Sequence, residues 1–381
     1  METIVTALAA LALSACIPTT APRANSAPTA ALPSPQQLDA IIAAHDPQAL
    51  AIGVLRGGKL VFEHYDGIEA PGQPVDARSR FEIASITKTI AAETFLRMVA
   101  VGDADLDTPI ANWWVDPDVA DDPRARLLTP RHILTHQSGW DNWRFFRADG
   151  TLTFNADPGT RYGYSGEGFN ALFRAMEKKS GKTYAELLDR YLLAPLGITE
   201  ALATFEAEPG PHMVQNRTED GDWLRPACRP GFCWPAGTWS AAGGMKISLP
   251  DYTKILAAIA EGSGYPAALK AERDAIITDQ GGDSVVDCTL APAACPEAQG
   301  YGLGMVRIDD DGHSLIGHGG YDWNQLTLAY ADQKGDGLVI FLAGPPEPNL
   351  ALMRDLVAAI DPGSPYVVSY GQWHDRASAS D

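Results

Sequence analysis

The hydrophobic period of this 381-residue chain switches twice along its length, and that switch limits the folds open to it more than any single residue does. Near the start, a short helix is expected over Pro35 to Ala44. The apolar-rich runs Ala49 to Leu55 and Lys59 to Tyr65 then flank Arg56-Gly57-Gly58, which reads as a hairpin. From Ser85 the pattern turns helical, running through Ala91-Ala92-Glu93-Thr94-Phe95-Leu96 to Val101 and closing at Gly102. Thr129-Pro130 supplies an N-cap and first helical position for Arg131 to Thr135. Helical spacing recurs over Asn170 to Lys179, Tyr184 to Leu196, and from Leu249-Pro250-Asp251 to Gly262. Strand signals return at Gly302 to Ile308, His313 to Gly317, Gln325 to Tyr330 and Gly337 to Leu342, followed by a helix over Asn349 to Ile360. Strands at both ends of a helical middle predict an α/β (α+β) architecture. One antiparallel sheet is built from both chain ends and flanked by helices, with a helical insert beside it. The sheet part is expected over about 35–84 and 300–362, the helical part over about 85–299, and residues 363–381 as a C-terminal tail.

At 45% hydrophobic and 20% charged residues, the chain can bury a sizeable core. Its net charge of −19, with no Lys/Arg-rich run, repels phosphate backbones and argues against a nucleic-acid partner. Residues 17–34 are rich in Ala, Pro, Thr and Ser and read as a flexible spacer.

The chemistry starts at Ser85-Ile86-Thr87-Lys88, where a helix would set a hydroxyl and an amine on one face. Serine is a weak nucleophile that needs an adjacent base, and lysine becomes one when burial or positive potential lowers its pKa. Ser-x-x-Lys is weak taken alone. Cys228, Cys233, Cys288 and Cys295 form two sequence-local pairs, which read as the disulfides Cys228–Cys233 and Cys288–Cys295; four thiolates around zinc is the competing reading. His132 and His136 have the spacing of a metal-binding pair. Ile133 stands where a zinc-protease helix needs Glu, and hydrogen bonding is the expected role of both. Glu167 is expected as a solvated or helix-capping carboxylate, and Trp140, Trp143, Trp234, Trp239 and Trp323 as packing residues, some of which could line an acyl pocket. There is no Gly-x-Ser-x-Gly elbow and no phosphate-cradling loop, and neither cofactor nor metal is expected.

Two further stretches lift the first motif above chance: Asp157-Pro-Gly-Thr-Arg-Tyr-Gly-Tyr164-Ser165-Gly166 and Gly317-His318-Gly319-Gly320-Tyr321. With Ser85-x-x-Lys88 they resemble, in order, the three signatures of the serine β-lactamase and penicillin-binding superfamily. The similarity is strongest to the branch of class C β-lactamases, secreted D-Ala-D-Ala carboxypeptidases and family VIII carboxylesterases. Ile133-Leu-Thr-His-Gln-Ser-Gly139 and Ala242-Gly-Gly-Met-Lys-Ile-Ser-Leu-Pro-Asp251 also look like that branch, and the resemblance covers about residues 35–360. It implies a β-lactamase-like fold and an acyl-enzyme on Ser85, with Lys88 and Tyr164 handling protons. The backbone N–H groups of Ser85 and Tyr321 would form an oxyanion hole, worth about 3–4 kcal/mol per donor. His318, Gly319, Gly320 and Tyr321 would bind substrate. The second signature usually reads Tyr-x-Asn, and the third often begins with Lys. Gly166 and His318 at those positions favour a small ester over a D-amino-acid peptide or β-lactam. A penicillin-binding sensor that deacylates slowly is the reading from another class.

Ile4 to Ala15 is apolar and ends in Leu13-Ser14-Ala15-Cys16, which resembles a bacterial lipoprotein signal with Cys16 as lipid acceptor; cleavage near Ala27 is the alternative. Export, with a periplasmic, membrane-tethered or secreted product, is expected, and the cysteine pairs agree with it.

Overall fold

The computed structural model describes residues 32–379 apart from 219 and 230. The expected signal segment, its lipid acceptor Cys16 and all but the end of the 17–34 spacer lie outside the described residues. The chain passes through helix α1 (Pro35–His45), strands β1 (Ala49–Arg56), β2 (Lys59–Ala70), β3 (Gln73–Pro74) and β4 (Arg80–Glu82), and helix α2 (Thr87–Ala100). Helices α3 (Pro130–Leu134), α4 (Gly166–Ser180) and α5 (Tyr184–Leu188) follow. Next come the small hairpin β5 (Cys228–Arg229) and β6 (Phe232–Cys233), strand β7 (Lys246–Ser248), and helices α6 (Leu249–Glu261) and α7 (Ala267–Asp274). Strands β8 (Ala298–Tyr301), β9 (Val306–Asp310), β10 (His313–Asp322), β11 (Gln325–Asp332) and β12 (Gly337–Ala343) lead to helices α8 (Pro346–Ile360) and α9 (Pro365–Ser378).

The main sheet has eight strands in the order β3-β2-β1-β12-β11-β10-β9-β8, and its pairs are antiparallel. The two chain ends meet at its centre, where Ala49 pairs with Ala343 and Leu55 with Gly337. Successive side chains of a strand point to opposite faces. Leu50, Ile52 and Val54 of β1, with Leu338, Ile340 and Leu342 of β12, therefore face one core with α1, α8 and α9. Ala51, Val339 and Phe341 face the other, with α2, α4 and α6. An antiparallel sheet covered on both faces reads as continuous apolar strands, which is why β1 and β12 are unmistakable in the sequence.

Helix α2 is buried from Thr87 through Met98, so it is a core helix rather than an amphipathic surface one. Its Glu93 is fully buried and accepts from Arg273 Nη1 at 2.9 Å and from Tyr265 Oη at 2.8 Å. Arg273, also fully buried, donates to Ile259 O at 2.7 Å and ties α7 to α2.

Several sequence boundaries move for identifiable reasons. The tail expected over 363–381 is instead largely helix α9, started by Ser364 and Pro365 and packed through Tyr366 and Tyr370 into the α8 core. Its residues are poor helix formers, so packing rather than propensity holds it. Of the run expected over Gly302 to Ile308 only Val306 onward is strand, as part of β9, while β8 ends before it at Tyr301, because the chain between them turns against α3 and Gly304 N donates to Leu134 O at 2.7 Å. The helix expected over Tyr184 to Leu196 tightens and loosens: π-helical over Asp189–Leu193, then 3-10 over Ala194–Leu196 around Pro195. Both cysteine pairs are disulfides, Cys228–Cys233 and Cys288–Cys295, as their spacing predicted.

Replacing Arg273 with Ala leaves the buried Glu93 with Arg97, whose Nε lies 3.8 Å away, as its remaining cation and is expected to cost up to about 3–5 kcal/mol in urea unfolding. A loss under about 1 kcal/mol would mean that Glu93 finds another partner.

Candidate active site

Ala84 precedes the nucleophile candidate with φ +45°, in the left-handed region that non-glycine residues avoid. The strained turn is held from both sides: Ile83 N donates to Met245 O at 3.0 Å, and Thr327 Oγ1 of β11 donates to Ile83 O at 3.0 Å. Ser85 then sits in a short 3-10 turn, Ala84–Ile86, that runs straight into α2. Lys88, one turn on, is fully buried; its Nζ lies 3.1 Å from Ser85 Oγ and donates to Ala242 O at 2.8 Å. The rings of Tyr164 and Phe169 stand 4.6 and 5.8 Å from that amine. Burial without a carboxylate partner pushes the Lys88 pKa down to about 7. The neutral amine is then accessible near neutral pH.

Tyr164 shares a hydrogen bond with the Ser85 side chain. Burial pushes its phenol well above the usual range, and the Ser85 bond offsets this only in part. The two groups thus separate into an amine that can accept a proton and a phenol that keeps one. Tyr164 is placed by the start of α4, where Ser165 caps Gly168 N at 3.2 Å and Gly166 N and Glu167 N both donate to Asn142 O at 3.1 Å. His136 backs it, with ring centroids 4.2 Å apart, and its Nδ1 accepts from Ser165 N at 3.0 Å. His132 likewise belongs to a cap, against the Thr129 backbone. Among the described residues no cluster of His, Cys, Asp and Glu could hold a metal ion.

Strand β10 forms the opposite wall. A Cβ on Gly320 would fall 2.7 Å from Ile83 O and 3.1 Å from Ser85 N, so only glycine lets this strand approach the nucleophile turn. The next residue, Tyr321, is partly exposed; its hydroxyl donates to Glu347 at 2.7 Å and its ring packs on Trp373 of α9. His318 lines the cleft, yet its Nε2 accepts from Tyr301 Oη at 3.0 Å and its Nδ1 lies against Gly319 O. Burial, with the Lys88 charge adding to it, lowers its pKa to about 3, so the ring is neutral.

These groups open into a cleft of about 970 Å³. Trp143, Trp234, Trp239 and Trp323, all singled out in the sequence, line it, whereas Trp140 is core. Glu167 is neither solvated nor merely a cap: it is mostly buried, and Arg144 donates to it through Nε at 3.1 Å and Nη2 at 2.9 Å. Sequence reasoning missed four contributors. Arg229, in the first disulfide loop, bonds Glu82 and reaches Asp322 Oδ2 at 2.6 Å, which joins the loop to the residues just before Ser85 and just after Tyr321. Asn170 Oδ1 accepts from Ala241 N at 2.9 Å and steadies the loop whose Ala242 carbonyl holds Lys88. Tyr370 and Trp373 reach the cleft from α9, a helix with little sequence signal beyond its Ser-Pro start.

Gly166 marks the largest departure from the resemblance. A Cβ there would stand 2.4 Å from the Trp143 ring, so the indole occupies the space an asparagine would need.

A family model described as Beta-lactamase matches residues 36–361. Esterase EstB of Burkholderia gladioli is 27% identical over 281 residues, 61% of this chain and 70% of that protein. A D-aminopeptidase of Gluconobacter oxydans is 25% identical; the match spans 76% of this chain but only 55% of that protein. Among solved structures, the octameric penicillin-binding protein homologue from Pyrococcus abyssi superposes with a TM-score of 0.66 at 20% identity, covering 88% of this chain and 80% of that one. That likeness concerns the fold.

Gly166→Asn should force Trp143 from its seat and cost about 1–3 kcal/mol in thermal or urea unfolding. A variant as stable as the parent, with unchanged tryptophan fluorescence, would overturn this steric account.

Proposed function

Since this chain belongs to the beta-lactamase family of serine hydrolases, we propose that Ser85 is its nucleophile and that it hydrolyses small esters through an acyl-enzyme. The observation that carries the reading is the fully buried Lys88 amine, 3.1 Å from Ser85 Oγ and with its pKa lowered to about 7. Neutral Lys88 takes the Ser85 proton as Oγ bonds to the ester carbonyl carbon. The N–H groups of Ser85 and Tyr321 receive the negative charge that develops on the carbonyl oxygen. The phenol of Tyr164 gives its proton to the departing alkoxide as the C–O bond breaks, and the Lys88 ammonium restores the phenol. Water then attacks the acyl group, its proton passes to the Lys88–Tyr164 pair, and the Ser85 oxygen regains a proton as the acid leaves.

Two features support an ester over a β-lactam or D-peptide. The space for the usual amide-binding asparagine is filled by Trp143, and the His318 ring is neutral with both nitrogens already engaged. The esterase relative points the same way, while the D-aminopeptidase relative keeps an amide substrate as the second reading. The apolar segment before Cys16 and the two disulfides support export as part of the same proposal.

Hydrolysis of a short-chain p-nitrophenyl ester, followed beside that of a chromogenic cephalosporin, tests the reading. Ser85→Ala should abolish ester turnover, and Lys88→Ala and Tyr164→Phe should each lower kcat by about 10²–10⁴ with the fold intact. Ester turnover that survives Ser85→Ala would sink the mechanism. Fast cephalosporin cleavage would move the function to β-lactamase, and a lasting adduct would move it to a slowly deacylating sensor.

The pH profile is a separate check. Lys88 acts as base only when unprotonated, so kcat/KM should rise with pH through a midpoint near 7 and then level off. Tyr164 stays protonated past the usual phenol range, so no falling limb is expected from it below about pH 10. A profile that falls from pH 6 to 8 would contradict the assignment of Lys88 as base.

A further inference from the structure

Beside Tyr164 the cleft extends into a side lobe of about 410 Å³, walled by Tyr162, Tyr164, Tyr301 and His318 and bounded by Gln280 and Asp283. We propose that this lobe receives the leaving group of the substrate and selects one that carries a protonated amine, while rejecting a carboxylate. This rests on the reading of Ser85 as nucleophile and Tyr164 as the acid, because the atom that departs must lie against the group that protonates it.

The charged groups bordering the lobe are unbalanced in one direction, although the Asn142 side chain, whose Oδ1 accepts from Gly166 N, also lines it as a neutral donor. Gln280 is only 7% exposed. Its Nε2 points to Tyr162 Oη at 3.5 Å, and its Oε1 is buried with no hydrogen-bond partner among the described residues. A buried acceptor of this kind calls for a donor. Two residues on, at the end of the 3-10 turn Gly281–Asp283, the Asp283 carboxylate borders the same space, and its charge reaches both Tyr162 and Tyr164. No arginine or lysine lines the lobe. His318 supplies no positive charge either, since Tyr301 donates to its Nε2 and its Nδ1 faces Gly319 O. An anion would thus meet the Asp283 carboxylate and, among the described residues, no arginine or lysine to offset it. A protonated amine would find the Asp283 carboxylate as an acceptor, with the faces of Tyr162 and Tyr301 around it.

The lobe also explains why the second disulfide loop is anchored so firmly. Asp287 N donates to Gln372 Oε1, and Gln372 Nε2 donates back to Asp287 O, both at 2.9 Å, which ties the loop carrying Gln280 and Asp283 to α9. A subsite that reads charge needs its carboxylate held in place.

Three butyrate esters of nearly equal size test the proposal: dimethylaminoethyl butyrate, isoamyl butyrate, and the butyrate ester of β-hydroxypropanoate. Near neutral pH and at low salt, kcat/KM should fall in that order, by about tenfold per step, as expected for one close charge pair or its like-charge counterpart. The net charge of −19 draws any cation toward the protein, so the decisive quantity is how the ratio responds to Asp283. Asp283→Asn should bring the dimethylaminoethyl-to-isoamyl ratio close to one, and Gln280→Met should lower it. Asp283 is exposed on a turn, so its asparagine variant keeps the local shape. A ratio unmoved by Asp283→Asn, or a carboxylate ester cleaved as fast as the isoamyl ester, overturns the subsite while the esterase reading stands. Absence of Ser85-dependent turnover on all three esters overturns the esterase reading, and the subsite assignment falls with it.

Discussion

The structure turns on an amine that has been taken out of water without being given a counter-ion. Removing Lys88 from solvent costs more for the ammonium than for the neutral amine, and no carboxylate among the described residues pairs with it to return that cost to the charged form. Had Glu82 been the residue facing Lys88, the pair would have been ionised and useless as a base. Instead Glu82 is engaged by Arg229 and lies 3.8 Å from another buried lysine, Lys246. The acids of the neighbourhood are spent on other cations, and Lys88 keeps a carbonyl, a hydroxyl and two aromatic rings. Four segments must converge to make that cage: α2, the start of α4, the 240–244 loop and, through Gly320, strand β10.

That convergence explains where the molecule accepts strain. The left-handed backbone at Ala84 persists because β11 and the strand leading into α6 bond to the residue before it from two sides. A positive φ at an alanine costs on the order of 1–3 kcal/mol. The buried network of Glu93, Tyr265 and Arg273 holds the far side of the same helix, so α2 is fixed at its strained end and along its middle. The Arg229 bridge adds a third tie, linking β4, the first disulfide loop and the end of β10 around the cleft mouth. A proton handed between Ser85, Lys88 and Tyr164 needs those atoms to stay within hydrogen-bond distance, and rigidity here serves that need.

Much of this was legible in the sequence, and what was not follows a rule. Strands β1, β11 and β12 stood out because burial on both faces leaves continuous apolar runs, and Ser85, Lys88, Tyr164 and His318 stood out because their motifs are local. Helix α9 did not, since Tyr, Val, Ser, Gly and Trp give little helical signal and its stability comes from packing on α8. Arg229, Asn170 and Gln280 were invisible for a related reason. Each acts through a partner far away in the chain, and no spacing announces such a contact. His318 was found but its environment was not: Tyr301, which locks it, looks in sequence like any strand tyrosine.

Gly166 and His318, the two departures from the expected signatures, share a physical cause. In each case an aromatic side chain has moved into the space or onto the nitrogen that a polar recognition contact would use: Trp143 over Gly166 and Tyr301 against His318. Replacing directed hydrogen bonds by ring faces changes what a site can tell apart. A site built to bond a particular group rejects the analogue lacking it by about 10⁴–10⁵, whereas an apolar wall separates near neighbours by only about 10–200. A cleft lined by Trp143, Trp234, Trp239, Tyr321 and Trp373 should therefore be permissive on most of its surface. Strong discrimination, on the proposed reading, falls to the polar groups beside Tyr164, of which Asp283 carries the charge. On the proposed mechanism the chemistry at Ser85 and the choice of substrate fall to different residues, the first to a buried amine and the second to a carboxylate some distance along the chain.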